Sequence, residues 1–318
     1  MIIKVENNQP DNVLRIEYML GNTCNQKCNY CFPGSNEGDL PWPELETVKK
    51  NLKKVLDHYK NNGKEIFNIF FVGGEPTLWD DFLPLIEWLK QNYNCILEIS
   101  TNATRGIIWW TKAGRVLDHV NISVHHEYAK QGKIAKLADF LYQAGVFVNV
   151  DVLMDPAAFE KCVSLVDYFQ TSVYAWPIIA KVVHFDGIHK YKIEQLKFFD
   201  DPIKRYPDTE WFEHTSRKPQ TEITITQADN TKVVTNSDSW ITRNNLNYFR
   251  GWSCNLGVDH LKITNGLLTG NCQQKLFDKP YNINDPNFSF SPVIKPVTCT
   301  KEICGCTGEI GIKKCLSQ

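Results

Sequence analysis

From Val13 to about Ile179 the sequence alternates short apolar runs with longer segments of helical period, and this succession constrains the fold more than any other feature. Strands are predicted over Val13–Leu20, Ile66–Val72, Cys95–Ser100, Val120–Val124, Val146–Leu153 and Val173–Ile179. Between them, Trp42–Asn61 carries Leu45, Val48, Leu52, Val55, Leu56 and Tyr59 at helical spacing. Further helices are predicted over Asp80–Gln91, Ile107–Leu117, Ala129–Ala144 (stopped by Gly145) and Pro156–Gln170 (opened by proline). Near-continuous apolar strands joined by helices predict a parallel sheet buried on both faces. Right-handed crossovers curl such a sheet into a barrel, and six units rather than eight predict a partial one. The expected fold class is α/β, a partial (β/α)6 TIM-like barrel over residues 1–180. A connector over 181–220 and a small cysteine-rich carboxy-terminal domain over 221–318 follow. That domain opens with a hairpin, Thr221–Thr226 and Lys232–Thr235.

Cysteine is the unusual component, eleven in 318 residues. Three stand at positions 24, 28 and 31 and six between 254 and 315, while Cys95 and Cys162 fall in strand and helix patterns as buried apolar residues. The start, Met1 to Glu6, lacks the pattern of a signal peptide, and no apolar run approaches the ~18 residues of a membrane span. An odd cysteine count without an export signal favours thiolate metal ligands over disulfides, in a reducing cytoplasm. A net charge of -1 provides no global field for nucleic acid or an anionic membrane.

The loop after the first strand reads Gly21-Asn22-Thr23-Cys24-Asn25-Gln26-Lys27-Cys28-Asn29-Tyr30-Cys31. Three thiolates are one short of filling a four-iron cube, which leaves one iron open, as catalytic metal sites require. The loop also lies at the carboxyl end of the sheet, where βα folds place their active sites. A zinc knuckle using the same cysteines plus one more ligand is the alternative. A second turn, Gly73-Gly74-Glu75-Pro76, ends the second strand, where glycines admit close approach of backbone to a ligand.

Together these two segments resemble the hallmarks of the radical S-adenosylmethionine (SAM) superfamily. The resemblance implies a [4Fe–4S] cluster on Cys24, Cys28 and Cys31, with SAM on the open iron. Electron transfer then releases a 5′-deoxyadenosyl radical that abstracts hydrogen from substrate. It also implies that Tyr30 lies near the adenine and that Gly73, Gly74, Glu75 and Pro76 hold the amino group of SAM. Ser100-Thr101-Asn102 resembles the turn that closes the third strand in this family, with Ala103 where glycine is common, and Ser123 resembles the residue that reaches the SAM ribose. For Asn102 and Ser123 a plain strand-end hydrogen bond is the competing reading. Many relatives continue with Asp-Gly where this chain has His125-His126-Glu127; His126 is read as a surface histidine, with proton transfer as the alternative.

Cys254 and Cys272 bracket two short strands joined by an Asn265-Gly266 turn, which brings them together. With Cys299, Cys304 and Cys306 they resemble the auxiliary-cluster extensions called SPASM and twitch domains, although the Cys299-x4-Cys304-x-Cys306 spacing departs from the SPASM pattern. Six cysteines suit one auxiliary [4Fe–4S] cluster rather than two, with Cys315 spare; a zinc site is again the alternative. The resemblance implies an oxidoreductase-like enzyme acting on a small metabolite and drawing on an electron donor such as flavodoxin or ferredoxin. A maturase of ribosomally made peptides is the second reading, and a non-catalytic zinc-binding module the third.

Overall fold

Alternation within each strand, not uniform apolarity, sets the architecture. The structure, a computed structural model, describes residues 2–171, 178–182, 191–198, 222–235, 241, 244–270, 272, 275–304 and 310–316. A first strand, β1 (Ile2–Asn7), precedes those of the βα series, which are β2 (Val13–Met19), β3 (Ile66–Val72), β4 (Cys95–Thr101), β5 (His119–Val124), β6 (Phe147–Met154) and β7 (Ile178–Val182). Strands β2 to β7 pair in parallel in sequence order. Helices α1 (Leu45–Asn61), α2 (Phe82–Asn92), α3 (Ile107–Ala113), α4 (Gln131–Gln143) and α5 (Phe159–Gln170) connect them, and α6 (Ile193–Phe198) follows β7. The Glu44 carboxylate caps α1 by accepting from the backbone N–H groups of Glu46 and Thr47 at 3.0 and 2.6 Å. The chain is thus an α/β protein built on a mixed sheet of the partial-barrel kind.

One face of this sheet is apolar. Leu14, Ile16 and Tyr18, then Phe67, Ile69 and Phe71, then Val120, Ile122 and Val124 are 0–1% exposed and pack with the buried faces of the helices. The intervening residues are mostly polar, Arg15 and Glu17, Asn68, Glu98 and Ser100, Asn121 and Ser123, Asn149 and Asp151, with Phe70, Ile96, Phe147 and Leu153 among them. This second face is still largely buried, Glu98, His119, Asn121 and Asp151 being 5–9% exposed, so burial on both faces holds in part, while the expectation of near-continuous apolar strands is corrected: the strands keep a period-2 alternation.

The sixth predicted strand, Val173–Ile179, lies largely outside the described residues; β7 begins at Ile178. Most of the predicted connector, 181–220, also lies outside them.

Strand β8 (Ile223–Gln227) and β9 (Lys232–Thr235) form the expected hairpin. The remaining strands are short: β10 (Ser253–Cys254), β11 (His260–Thr264), β12 (Leu267–Thr269), β13 (Val297–Thr298) and β14 (Lys314–Cys315). They divide between two sheets in a way the linear pattern does not suggest. The β11–β12 hairpin extends the large sheet, β11 lying parallel to β2 with Lys262 opposite Glu17. Conversely β1 leaves the amino-terminal unit and sits between β14 and β8 in the small sheet, in the order β13-β10-β14-β1-β8-β9. A buried ion pair, Lys64 Nζ to Asp259 Oδ1 at 2.7 Å, ties the segment before β3 to the segment before β11. Among the described residues no helix is long and apolar enough to cross a membrane.

Candidate active site

Two turns meet at the carboxyl end of the large sheet, and their backbones touch. The N–H of Glu75 donates to the carbonyl of Thr23 at 2.8 Å, joining the turn after β3 to the cysteine loop after β2. Gly73 and Gly74 make this approach possible. Both have positive φ, 91° and 54°. A Cβ on Gly74 would stand 2.3 Å from the carbonyl oxygen of Thr23, and one on Gly73 2.7 Å from that of Gly21. Asn22 braces the other side of the loop, its amide donating to the Gly34 carbonyl at 2.8 Å and to the Asp39 carboxylate at 2.5 Å.

Glu75 itself is fully buried and its carboxylate is occupied. Oε1 accepts from the Thr77 hydroxyl at 2.6 Å, the Thr101 hydroxyl at 2.8 Å and the Thr77 N–H at 3.2 Å. Oε2 accepts from the Asn102 N–H at 2.6 Å. Burial raises the Glu75 pKa, and these donors oppose the rise. Glu75 thus locks the ends of β3 and β4 together, and Pro76 opens the short 3-10 turn, Pro76–Leu78, that follows.

Asn102 reaches toward the loop, its side-chain amide 2.8 Å from Asn25 Oδ1 and 3.7 Å from Cys24 Sγ. Ala103 takes the left-handed conformation, φ 58°, for which glycine pays no Cβ penalty. Ala103→Gly is expected to raise stability by about 0.5–1 kcal/mol, relief of strain exceeding the added chain entropy, as read from the midpoint of urea unfolding.

Cys28 and Tyr30 are each 8% exposed and pack with Cys31 and Leu153. Burial first, then the nearby charges of Glu127, Cys31 and Cys24, push the Cys28 thiol up to about 12. Burial likewise raises Cys24 and Cys31. Burial is the leading cause for all three thiols, and the charge of Cys24 adds to it at Cys28 and Cys31. Among the described residues no three of His, Cys, Asp and Glu close on a single metal ion.

Tyr30 stacks on His125 and His126, ring centroids 5.8 and 5.7 Å away. Its hydroxyl lies 3.0 Å from His125 Nδ1. Burial, with the charges of His126 and Lys181, lowers His125 to about 4, so its ring is neutral near pH 7 and shares a hydrogen bond with Tyr30 whose direction follows the imidazole tautomer. His126 corrects the surface reading: its side chain is 9% exposed and Nε2 is 2.9 Å from Asp155 Oδ2. Nothing local in the sequence announced this, because Asp155 lies a strand away.

Asn25, Asn102, Ser123 and His125 line a cavity of about 570 Å³ between the strand ends and the first turns of α3 and α4. Ser123 also shares a 3.2 Å hydrogen bond with Ser100. The volume falls in the range of small-molecule sites. Tyr30 and the Gly73–Pro76 turn are not among the residues that line it.

A second constellation forms in and beside the small sheet. Cys254, Cys272, Cys299 and Cys304 line one narrow cavity of about 20 Å³ with Phe249 and Lys314. Cys254 is fixed by β10, whose neighbours are β13 and β14. The N–H of Cys299 donates to the Trp252 carbonyl and that of Cys304 to the Asn247 carbonyl, both at 2.8 Å. Burial raises the Cys254 thiol to about 11, against the opposing charge of Lys314. Lys314 is 4% exposed, donates to the Ile310 carbonyl at 2.6 Å and lies 4.7 Å from the Phe249 ring centroid. Cys315 is exposed and outside this cavity, whereas Cys306 lies outside the described residues.

The α/β sheet thus carries three thiols on its first carboxyl-end loop, clasped by a glycine turn beside a ligand-sized cavity. Residues 18–138 match the Radical SAM superfamily family model, and this amino-terminal segment belongs to that superfamily. A GTP 3',8-cyclase of Pasteurella multocida is 33% identical over 105 residues, 32% of this chain and 30% of that protein. A 7-carboxy-7-deazaguanine synthase of Clostridium acetobutylicum is 33% identical over 84 residues, 26% of this chain and 34% of that protein. The chain thus spans about a third of the length of these curated relatives. The solved structure of native anSMEcpe with bound AdoMet shares the fold at a TM-score of 0.52 and 15% identity, covering 86% of this chain and 78% of that one.

Proposed function

We propose that the chain is a radical SAM enzyme acting on a small metabolite, with an auxiliary iron–sulfur site in its carboxy-terminal part. When bound, a [4Fe–4S] cluster on Cys24, Cys28 and Cys31 supplies the electron that cleaves SAM and so starts hydrogen abstraction from the substrate. The observation that carries this reading is the clasp between the cysteine loop and the Gly73–Glu75 turn, made by Glu75 N–H on the Thr23 carbonyl.

The chain's own residues have separable tasks. Gly73 and Gly74 permit the clasp and Glu75 locks it to β4. Asn102 orients Cys24 and, with Ser123, offers polar contacts to a ligand in the adjoining cavity. Tyr30 and Leu153 keep water from the Cys28 side of the loop. An electron donor such as flavodoxin or ferredoxin, and a cytoplasmic setting, belong to the same proposal.

For the auxiliary site we assign Cys254, Cys272, Cys299 and Cys304, with Cys306 the further candidate. Four thiols and one buried lysine suit an anionic thiolate-bound cluster in charge. The space of about 20 Å³ holds about one water, so seating a cluster requires Cys272 and Cys304, both in loops, to draw back. This unit comprises the small sheet, β1 included, and the β11–β12 hairpin.

Anaerobic reconstitution tests the proposal. The protein is expected to turn brown, to hold about eight iron atoms and to release 5′-deoxyadenosine from SAM under reduction. Replacing Cys254 and Cys272 with alanine is expected to remove about half of the iron while the cluster of the amino-terminal loop keeps its spectrum. Stoichiometric zinc in a colourless protein would show the reading to be wrong.

A further inference from the structure

Strand β14 turns its lysine inward and its cysteine outward. Cys315 is exposed, whereas Lys314 is 4% exposed, so the alternation of the strand sends the ammonium into the core of the small sheet. Lysine is seldom fully buried, and then chiefly where negative charge pairs it. The surroundings are apolar: Val5, its partner across β1, together with Phe249 and Ile310, is 0–1% exposed. Among them Nζ donates to the Ile310 carbonyl at 2.6 Å and lies 4.7 Å from the Phe249 ring centroid.

Two relations aim this side chain at the thiols. Lys314 is the Cα partner of Cys254 where β14 pairs with β10. Directly opposed residues of antiparallel strands share a face, with Cβ atoms about 4.5–5.5 Å apart. Lys314 also lines the narrow cavity onto which Cys254, Cys272, Cys299 and Cys304 open. Its charge lowers the Cys254 thiol, against the larger upward push of burial. A second cation, Lys301, lines the same cavity but is exposed.

We propose that Lys314 is the fixed countercharge of the auxiliary cluster and raises that cluster's reduction potential. The assignment rests on the auxiliary-site reading above and adds to it the residue that sets its redox behaviour. Reduction adds one electron, and so one negative charge, to a cluster that four thiolates already make anionic. An ammonium held beside it stabilises the reduced form more than the oxidised form, which is the sign that raises a potential. Burial sets the size of the effect. In an apolar setting the charge of Lys314 escapes the screening that water gives Lys301. Lys314 bonds to no iron and acts on the cluster through space.

The full chain with alanine at Cys24, Cys28 and Cys31 carries the auxiliary cluster alone. Its anaerobic redox titration, with titanium(III) citrate as the electron source and EPR as the readout, therefore reports that cluster only. In this background Lys314→Met and Lys314→Gln are expected to lower the midpoint by at least a tenfold change in the reduction equilibrium, about 59 mV for one electron. Glutamine keeps a donor for the Ile310 carbonyl, so a shift shared by both variants reports lost charge rather than a lost hydrogen bond. Lys314→Arg, which keeps the charge, should stay near the parent midpoint, as should Lys301→Met. Where the neutral variants lose the auxiliary iron, arginine decides: iron kept by Lys314→Arg supports the countercharge, and iron lost there too overturns it. An unchanged midpoint in Lys314→Met and Lys314→Gln, or an equal fall in Lys314→Arg or Lys301→Met, also overturns it. Iron content of the parent background tests the auxiliary reading separately, about four atoms being expected. An iron-free parent defeats that reading and the role of Lys314 with it, whereas a filled cluster with an unmoved midpoint defeats the role of Lys314 alone.

Discussion

Alanine at Cys24, Cys28 and Cys31 together is expected to abolish reductive cleavage of SAM and to lower iron from about eight to about four atoms per chain. In the function proposed here the loop's three thiols hold the cluster. Burial and like charge already hold Cys28 up at about 12. Loss of one thiol leaves two ligands where the proposed cluster takes three, so Cys28→Ala alone is expected to lower cleavage by at least two orders of magnitude. Released 5′-deoxyadenosine and iron content are the measurements. A triple variant that keeps full iron and full cleavage would remove the cysteine loop from the chemistry.

Gly74→Ala has the second large effect. The substituted residue would be held at a φ of 54°, which costs about 1–2 kcal/mol for an L-residue. Its Cβ would also press on the Thr23 carbonyl at 2.3 Å, a backbone atom that cannot rotate away as a side chain does. We expect a loss of about 3 kcal/mol or more in stability, or opening of the clasp with poor cluster assembly at the loop. Urea unfolding and iron content distinguish the two outcomes. Unchanged values of both would mean that the clasp is not under strain. Gly63→Ala is the control: its φ is also positive, 91°, but a Cβ there meets nothing within 4 Å, so only the backbone cost applies.

Much of this site was legible because local rules act at each point. The βα succession fixed five helices and most strands to within a few residues, since helical period and strand length are properties of short windows. The cysteine spacing and the glycine turn could be read for the same reason. Pairing between distant segments could not. Nothing in Ile2 to Asn7 distinguishes a strand of the small sheet, and nothing near His260 announces a parallel partner in β2. The buried place of His126 depends on Asp155, and the occupied state of Glu75 depends on Thr101 and Asn102. The polar sheet face had a signal that went unread. Glu98 and Ser100, Asn121 and Ser123, and Asn149 and Asp151 alternate with apolar residues, a spacing that uniformly apolar strands do not show.

The placement of β1 bears on how the molecule is made. Lys4 pairs with Cys315, and Val5 with Lys314. A ribosome delivers β1 tens of seconds before β14, so the edge that pairs with β14 stays open until long after β8 has covered the other. The βα sheet can assemble as it emerges, each strand beside its predecessor, while the small sheet is completed last. Pairing of such distant segments is slow, and the waiting edge invites capture by another chain. Expression yield should therefore respond to temperature and chaperone supply more through this strand than through the domain that carries the cysteine loop.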